Sequence, residues 1–219
     1  MAEPKATATA PTAAATRAGR PRRFGTEDEL RILLDAALTV MERNGYTDVA
    51  VVDILREAGL STRSFYRHFE SKDQLLCALY RREAEAAAVR LTAKVEAAPS
   101  PWAALDAWID EILSFGHHRA KAARIAVLGS PGAMRAEGYA EETHHAAALL
   151  TAPLEALLAE GASDGSFPLA DPMADAPLVQ SVAWAAAGLN QTRGKLPRTE
   201  ASRQVRSFCE RALGVTPEG

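Results

Sequence analysis

The chain has 219 residues, of which 47% are hydrophobic and 24% are charged, and its formal net charge is −3. This composition is typical of a globular protein and excludes a wholly disordered chain. The longest apolar run, Val182 to Leu189, is far shorter than the roughly 20 residues that cross a bilayer, so we expect no transmembrane span. We expect no secretory signal, because no apolar segment follows the N-terminal basic residues. The two cysteines fit a reducing cytoplasm rather than a disulfide framework.

Positive charge is concentrated towards the N-terminus. Residues 1–82 carry 13 basic and 11 acidic side chains, whereas residues 83–219 carry 12 and 17. A polyanionic partner should therefore meet the N-terminal third of the chain.

The segment 1–23 is predicted to be a disordered tail, since it begins with low-complexity Ala/Thr/Pro sequence. It ends in a basic arm that includes Arg20, Arg22 and Arg23. Such an arm can enter an AT-rich minor groove, whose narrow width concentrates negative potential. The alternative is an arm that is merely solvated.

From Thr26 onward, the sequence predicts helices and no sheet. Apolar residues from Leu30 to Met41 recur at the i, i+3, i+4, i+7 spacing of one buried helical stripe. Capping residues and prolines place the other helix starts. The predicted helices are 26–44, 51–58, 62–69, 72–97, 102–116, 119–129, 133–160, 175–193 and 200–213. Pro153 should kink or split the helix over 133–160.

Two of these helices, 51–58 and 62–69, are joined by the short turn Gly59-Leu60-Ser61, which is typical of a helix-turn-helix. On a helical wheel, the second of them has an anchoring aromatic side with Phe65 and Phe69, flanked by Tyr66. The opposite side, which would face a major groove, holds Arg63, Ser64, Arg67 and His68. The alternative is a surface helix with solvated arginines.

Part of this segment has a recognisable signature. It comprises Gly45-Tyr46, Ile54, Ala58-Gly59-Leu60-Ser61, Phe65-Tyr66, His68-Phe69, Lys72 and Leu75. These residues closely resemble the DNA-binding signature of the tetracycline-repressor (TetR) family over residues 30–76. The resemblance implies an all-α homodimer that represses transcription and releases DNA when a small molecule binds the C-terminal domain. By position, it implies DNA contacts from Thr62, Arg63, Ser64, Tyr66, Arg67 and His68, with Lys72 on the DNA backbone.

Three positions differ from what is common in that family. Members often have a small residue in place of Arg63, so an arginine there implies a direct base contact. Val49 and Ala50 stand where the family commonly has threonines that meet a phosphate. Neither side chain can donate a hydrogen bond, and Thr47 is the candidate substitute.

We therefore predict an all-α fold of about nine helices. Residues 24–71 would form a three-helix DNA-binding head with the helix-turn-helix, and residues 72–219 a ligand-binding and dimerisation domain. Helix 175–193 is apolar nearly all round, which favours burial on two sides. In the resembling family the last two helices form a four-helix seam with their copies, and this pattern agrees. The alternative is that both helices complete a monomeric core.

A small-molecule pocket is expected among the helices between residues 102 and 193. Candidate lining residues, chosen by side-chain type, are Trp108, Phe115, Met134, Tyr139, His144 and Trp184. Few buried charges are evident in this segment, so the predicted effector is hydrophobic or aromatic.

No metal site, cofactor or enzymatic activity is predicted. The pairs His117-His118 and His144-His145 point about 100° apart on a helix, so neither pair can chelate a metal as i, i+4 ligands do. No catalytic motif is present. The predicted function is a cytoplasmic, ligand-responsive regulator, most simply a repressor that binds a palindromic DNA operator as a homodimer, with no membrane partner. The alternative is a helical adaptor that has kept the fold but lost operator binding.

Overall fold

The computed structural model describes residues 25–189 and 196–215. Within these residues there are nine α-helices, one short 3-10 helix and no strand, so the prediction of an all-α fold is confirmed. The α-helices are α1 (Thr26–Asn44), α2 (Val51–Ala58), α3 (Thr62–His68), α4 (Lys72–Glu96), α5 (Pro101–His117), α6 (Arg119–Leu128), α7 (Tyr139–Asp164), α8 (Pro172–Ala186) and α9 (Arg198–Leu213). None of these described helices combines the length and apolarity that a membrane span requires.

The first three helices and the start of α4 enclose a core of their own. One face of α1 buries the predicted apolar stripe, which includes Leu33, Ala37 and Met41. Helices α2, α3 and α4 add Ile54, Leu55, Phe65, Leu75, Leu76 and Leu79. Val127 and Leu128 of α6 also belong to this core. The N-terminal head is therefore attached to the rest of the protein by shared apolar packing as well as by the chain itself.

A second core is built around α5. Leu105, Trp108, Ile109 and Ile112 have no exposed surface, and they meet apolar side chains from α4, α7, α8 and α9. Gly116 lies so close to the end of α8 that a Cβ would overlap the carbonyl of Ala187. This close approach explains why a glycine stands near the end of α5.

The helix predicted over 133–160 is wrong at its start. Ala133–Arg135 form a separate 3-10 helix, and α7 begins only at Tyr139. Gly138, with φ of 81°, has the left-handed backbone that interrupts the helix between them. Pro153 does not split α7, which runs through it to Asp164, because buried leucines along α7 hold the helix against its neighbours.

Helix α8 also begins earlier than its predicted start at residue 175. The carboxylate of Asp171 accepts a hydrogen bond from Ala174 N at 3.2 Å, so the cap and the proline after it start the helix at once. The helix ends at Ala186, and Gly188 follows with φ of 76°. Residues 190–193 of the predicted helix lie outside the described residues.

Candidate nucleic-acid interface and effector cavity

The turn between α2 and α3 has the backbone of a helix-turn-helix. Gly59 takes a left-handed conformation with φ of 63° and ends α2, and Leu60 N donates to Leu55 O at 3.1 Å. Ser61 then caps α3, since its hydroxyl accepts a hydrogen bond from Ser64 N at 3.2 Å. These local interactions fix the direction in which α3 leaves the turn.

Helix α3 presents a small exposed face to solvent. Phe65 and Phe69 are buried and anchor the helix in the head, as the sequence predicts. Thr62 and Arg63 are exposed, and Tyr66 keeps 60% of its surface accessible. Tyr66 rests edge-on against Phe65, with ring centroids 5.3 Å apart, so its hydroxyl end extends outward from a fixed base. The exposed face therefore carries one guanidinium and two hydroxyl groups that can reach a DNA groove.

The predicted outward orientation of Ser64 and His68 is wrong. Ser64 is buried, and its hydroxyl lies 3.2 Å from that of Ser61. The side chain of His68 is only 8% exposed. The helical wheel placed both residues opposite the aromatic side, but Ser64 packs against the capping Ser61 and His68 lies beside Glu29 of α1.

A buried carboxylate on α1 explains this orientation. Glu29 is 5% exposed, and it accepts a hydrogen bond from Arg67 Nη1 at 2.5 Å. The same carboxylate oxygen lies 3.5 Å from His68 Nε2. Arg67 and His68 are thus drawn towards α1, and Arg67 retains 28% of its side-chain exposure. Of the two arginines on α3, Arg63 is the one without an ionic partner among the described residues.

Lys72, the predicted phosphate contact, makes three interactions within the head. Its ammonium donates to the backbone carbonyls of Tyr46 at 3.0 Å and Val49 at 2.9 Å. It also lies 4.3 Å from the centroid of the Tyr46 ring. The hydroxyl of Tyr46 in turn donates to Asp73. Lys72 therefore ties the segment between α1 and α2 to the start of α4.

The remaining predicted DNA contacts lie in that segment and in the N-terminal arm. Thr47 is exposed, whereas Val49 is buried. The N–H of Ala50 donates to the carboxylate of Asp53 at 3.1 Å, so this backbone donor is already occupied. The arginines of the basic arm, Arg20, Arg22 and Arg23, lie outside the described residues.

A cavity of about 310 Å³ lies among α4, α5, α6, α7 and α8. This volume is within the usual range of small-molecule sites. Its lining residues are Tyr80, Glu83, Ala84, Ala87, Arg90, Phe115, Lys121, Arg124, Ile125, Leu128, Gly129, Tyr139, Thr143, Ala146, Ala147, Leu150, Trp184 and Leu189.

Three of the six predicted effector residues, Phe115, Tyr139 and Trp184, line this cavity. Trp108 does not, because its ring is fully buried in the second core and its indole N–H donates to Leu150 O at 3.0 Å. Met134 and His144 are exposed and lie outside the lining, since the 3-10 helix and the first turns of α7 direct them to solvent.

The contribution of α4 to the cavity was not predicted from the sequence. Tyr80, Glu83, Ala87 and Arg90 all line the cavity. They recur at i, i+3, i+7 and i+10, which is one face of a helix, so periodicity marks them as a group. They were not predicted as cavity residues, because a helix face that mixes charged and apolar side chains is typical of a solvent-exposed surface.

Charged groups reach the cavity from α4 and α6, although the sequence indicated few buried charges. Lys121 donates to the buried carboxylate of Glu111 at 2.6 Å, and Lys94 donates to its other oxygen at 2.7 Å. Burial alone would raise the pKa of Glu111, but the hydrogen bonds from Lys121 and Lys94 outweigh it and lower that pKa below its usual range. Glu111 is therefore ionised at neutral pH.

The cavity and the head are physically connected through α6 and the loop after it. Arg124, which lines the cavity, donates to Glu83 at 2.9 Å, and its Nε lies 3.7 Å from Glu42 on α1. Beyond α6, Gly132 lies directly against the side chain of Thr47. Asp73 accepts a hydrogen bond from Glu137 N at 3.0 Å. A shift of α6 or of this loop would therefore change contacts with the head.

The described residues contain no group of three or more His, Cys, Asp or Glu side chains placed to hold a metal ion.

The N-terminal part of the chain matches a protein-family model. Residues 33–79 match the family model described as "Bacterial regulatory proteins, tetR family". This segment runs from the middle of α1 into α4 and contains the whole helix-turn-helix. A comparison with curated protein sequences finds no match.

Solved structures of transcriptional regulators share the fold of nearly the whole chain. FadR from Bacillus subtilis, solved in complex with stearoyl-CoA, is 16% identical with a TM-score of 0.66, over 83% of this chain and 98% of that one. The reduced form of NemR from E. coli is 18% identical with a TM-score of 0.63, over 84% and 97%. A TetR-family regulator from Agrobacterium tumefaciens is 24% identical with a TM-score of 0.62, over 85% and 98%. The protein therefore has the fold of these regulators.

Proposed function

We propose that the chain is a ligand-responsive transcriptional repressor of the cytoplasm, because residues 33–79 match the model of the bacterial tetR family of regulatory proteins. It acts by binding DNA and an effector, without catalysis. The observation that carries this proposal is the exposed face of α3, where Thr62, Arg63 and Tyr66 stand free on a helix anchored by buried aromatic residues. A guanidinium without an ionic partner can donate two hydrogen bonds to a guanine edge in a major groove.

The other DNA contacts follow from the residues around this face. Thr47 donates to a phosphate beside the helix-turn-helix, and the basic arm with Arg20, Arg22 and Arg23 lies in the adjacent minor groove. Arg67 adds a contact at the edge of the face through its exposed part. Ser64, His68 and Lys72 support the geometry of the head from within.

The repressor binds a palindromic operator as a homodimer. Two copies of α3 would then meet successive major grooves, about 34–36 Å apart. Support comes from α8, which carries an exposed stripe of small and apolar residues at i, i+4, i+7 and i+11: Ala174, Leu178, Ser181 and Ala185. Leu178 is 58% exposed in one copy, and a second copy packed against this stripe would cover it.

An effector bound in the cavity releases the operator. Arg124 lines the cavity and also lies beside Glu42 of α1, so a ligand that draws Arg124 away loosens the attachment of the head. By reciprocal linkage, an effector that prefers the altered spacing of the two heads must weaken DNA binding. A coupling of about 1–3 kcal/mol, or roughly 5–150-fold in affinity, is typical. The FadR of Bacillus subtilis, solved with stearoyl-CoA, supports an effector site in this fold.

The test is a selection of random duplex DNA on the purified protein, followed by sequencing of the retained molecules. We expect an enriched inverted repeat whose half-sites are one helical turn apart, with affinity that falls steeply with salt. Absence of enrichment at low salt, from folded dimeric protein, would contradict the proposal and favour the adaptor. Enrichment of AT-rich DNA without a repeat would mean that the arm binds DNA and α3 does not.

A further inference from the structure

The cavity described above has two chemically different walls. One is apolar and aromatic, and its centre is the pair Phe115 and Trp184, whose ring centroids lie 5.8 Å apart at an angle of 32°. Leu150 and Ile125 add apolar surface to the lining. An aromatic ring or a short hydrocarbon chain would be well solvated by these side chains.

The other wall carries an excess of positive charge. Three cations, Arg90, Lys121 and Arg124, line the cavity together with one carboxylate, Glu83, among the residues that the structure describes. Glu83 is already shared, because it accepts hydrogen bonds from Arg82 at 3.1 Å and from Arg124 at 2.9 Å. It cannot also neutralise the other cations of the wall.

Each of the three cations has bonding capacity to spare. Arg90 has no ion pair within the described part of the chain. Lys121 shares the Glu111 carboxylate with Lys94, so this trio retains one positive charge. The Nε of Arg124 is buried, makes no hydrogen bond to the described residues and has the Glu42 carboxylate 3.7 Å away. Arg124 shares Glu83 with Arg82, so its guanidinium keeps N–H donors for a ligand oxygen.

We infer that the cavity binds a compact amphipathic carboxylate, with its aromatic or short acyl body against Phe115 and Trp184 and its anionic head at Arg90, Lys121 and Arg124. This inference rests on the proposed function, since it names the chemical class of the effector. A carboxylate suits this wall because guanidinium groups bind it with two parallel, charge-assisted hydrogen bonds. A purely hydrophobic effector would leave Arg90 without an anionic partner and would make no use of the spare donors of Lys121 and Arg124.

Two tyrosine hydroxyl groups and the volume of the cavity further restrict the class of ligand. Burial raises the pKa of Tyr80 to about 12, and burial also raises the pKa of Tyr139, so both phenols stay neutral and can donate to an anion. The cavity volume of about 310 Å³ lies at the small end of ligand sites. It fits a single ring or a medium-length chain with one acidic group.

The test uses matched probes that differ only in the charge of the head. Isothermal titration of the full-length protein compares phenylbutyrate with phenylbutyramide and phenylbutylamine, and octanoate with octanamide. We expect each carboxylate to bind at least about tenfold more tightly than its amide, the factor of a charge-assisted hydrogen bond, and the amine to bind weakest. Amides that bind as tightly as the acids would overturn the inference, and so would carboxylates whose Kd all exceed about 1 mM.

Variants locate the binding site. Arg90→Gln should reduce the preference for carboxylate over amide by about tenfold without loss of stability, because Arg90 supports no ion pair among the described residues. Arg119→Gln is the matched control, since Arg119 is exposed on α6 outside the cavity lining, and the preference should be unchanged. An unchanged preference in Arg90→Gln, or an equal loss in both variants, would overturn the assignment.

These titrations need no DNA, so the inference and the proposed function fail separately. Carboxylate binding by a protein that enriches no operator would refute the repressor and leave the ligand class standing. Operator binding by a protein that ignores the charge of the probe would refute the ligand class alone.

Discussion

The proposed DNA-binding head and the proposed effector domain, which runs from α4 to α9, each contain a buried glutamate beside basic side chains, and the two glutamates have opposite consequences. In the head, Glu29 draws Arg67 and His68 towards α1, so that Arg63 is the cation left unpaired by the described residues on the exposed face of α3. In the effector domain, Glu111 holds Lys121 at the cavity. The first carboxylate takes cations away from a proposed binding surface, and the second holds a cation at one. The charge on a helix face therefore predicts binding only when the position of the opposite charge is known.

The largest effect is expected where the buried carboxylate is removed from the effector domain. Glu111→Gln should lower the free energy of unfolding by about 2–4 kcal/mol, since two ammonium groups lose a 1% exposed partner. Both lysines can turn to solvent, which limits the loss. Urea unfolding at neutral pH measures it. The control Glu85→Gln, at an exposed position on α4, should have little effect.

The pH dependence checks the cause of that loss. The pKa of Glu111 is lowered in the folded state, so its ionised form stabilises the protein at pH values above the unfolded pKa of about 4.3. This contribution disappears as the pH falls through the folded pKa. The difference between the parent protein and Glu111→Gln should accordingly shrink on acidification. A difference that does not change with pH would contradict the ionic explanation.

The two arginines of α3 should respond differently to removal. Arg63→Ala should weaken operator binding by about 1–3 kcal/mol and relax one base position while leaving stability unchanged. Arg67→Ala leaves Glu29 buried without its cation and should lower the free energy of unfolding by about 1–3 kcal/mol. Titrations against single-base variants of the operator, together with urea unfolding, separate the two. Uniform weakening across all sequences would instead make Arg63 a phosphate contact.

Lys72 tests whether a basic residue of the head supports the fold or contacts DNA, with a smaller expected effect on stability. Lys72→Gln removes hydrogen bonds to two backbone carbonyls and should lower the free energy of unfolding by about 1–2 kcal/mol. The salt dependence of DNA binding should stay the same, because the ammonium is already engaged within the head. If the logarithmic salt slope falls by about 1, Lys72 contacts a phosphate as the family resemblance implies.

Local signals were enough to predict the elements of the head. Gly59 and Ser61 mark the turn and the cap of α3 within three residues of each other, and Phe65 and Phe69 mark its buried side. Each of these signals acts through neighbouring residues, so the sequence alone predicts them. The break before α7 was missed, because a single glycine such as Gly138 is tolerated within a helical pattern and its left-handed backbone cannot be read from the sequence.

Long-range partners decided what the sequence could not predict. Glu29 is 38 positions away from Arg67, and no periodicity connects them. The helical wheel therefore gave α3 an outer face that α1 partly covers. In the effector domain, residue type identified Phe115 and Trp184, but the cations that line the same cavity come from α4 and α6. Their role depends on how five helices surround the cavity, which only the assembled fold determines.

The smallest effect is expected at the contact between Gly132 and Thr47. Substitutions there test whether the head and the effector domain are energetically coupled through this contact. A methyl group at Gly132 would overlap the Thr47 hydroxyl, while the backbone, with φ of −71° and ψ of −47°, accepts alanine without strain. Gly132→Ala should cost less than about 1 kcal/mol in stability, because the hydroxyl can rotate away. Adding Thr47→Ala should recover that loss, and the double-mutant cycle should give a coupling of about 0.5 kcal/mol or more. Strict additivity would mean that the two residues do not touch in solution, and the connection between the cavity and the head would then run through Arg124 and Glu42.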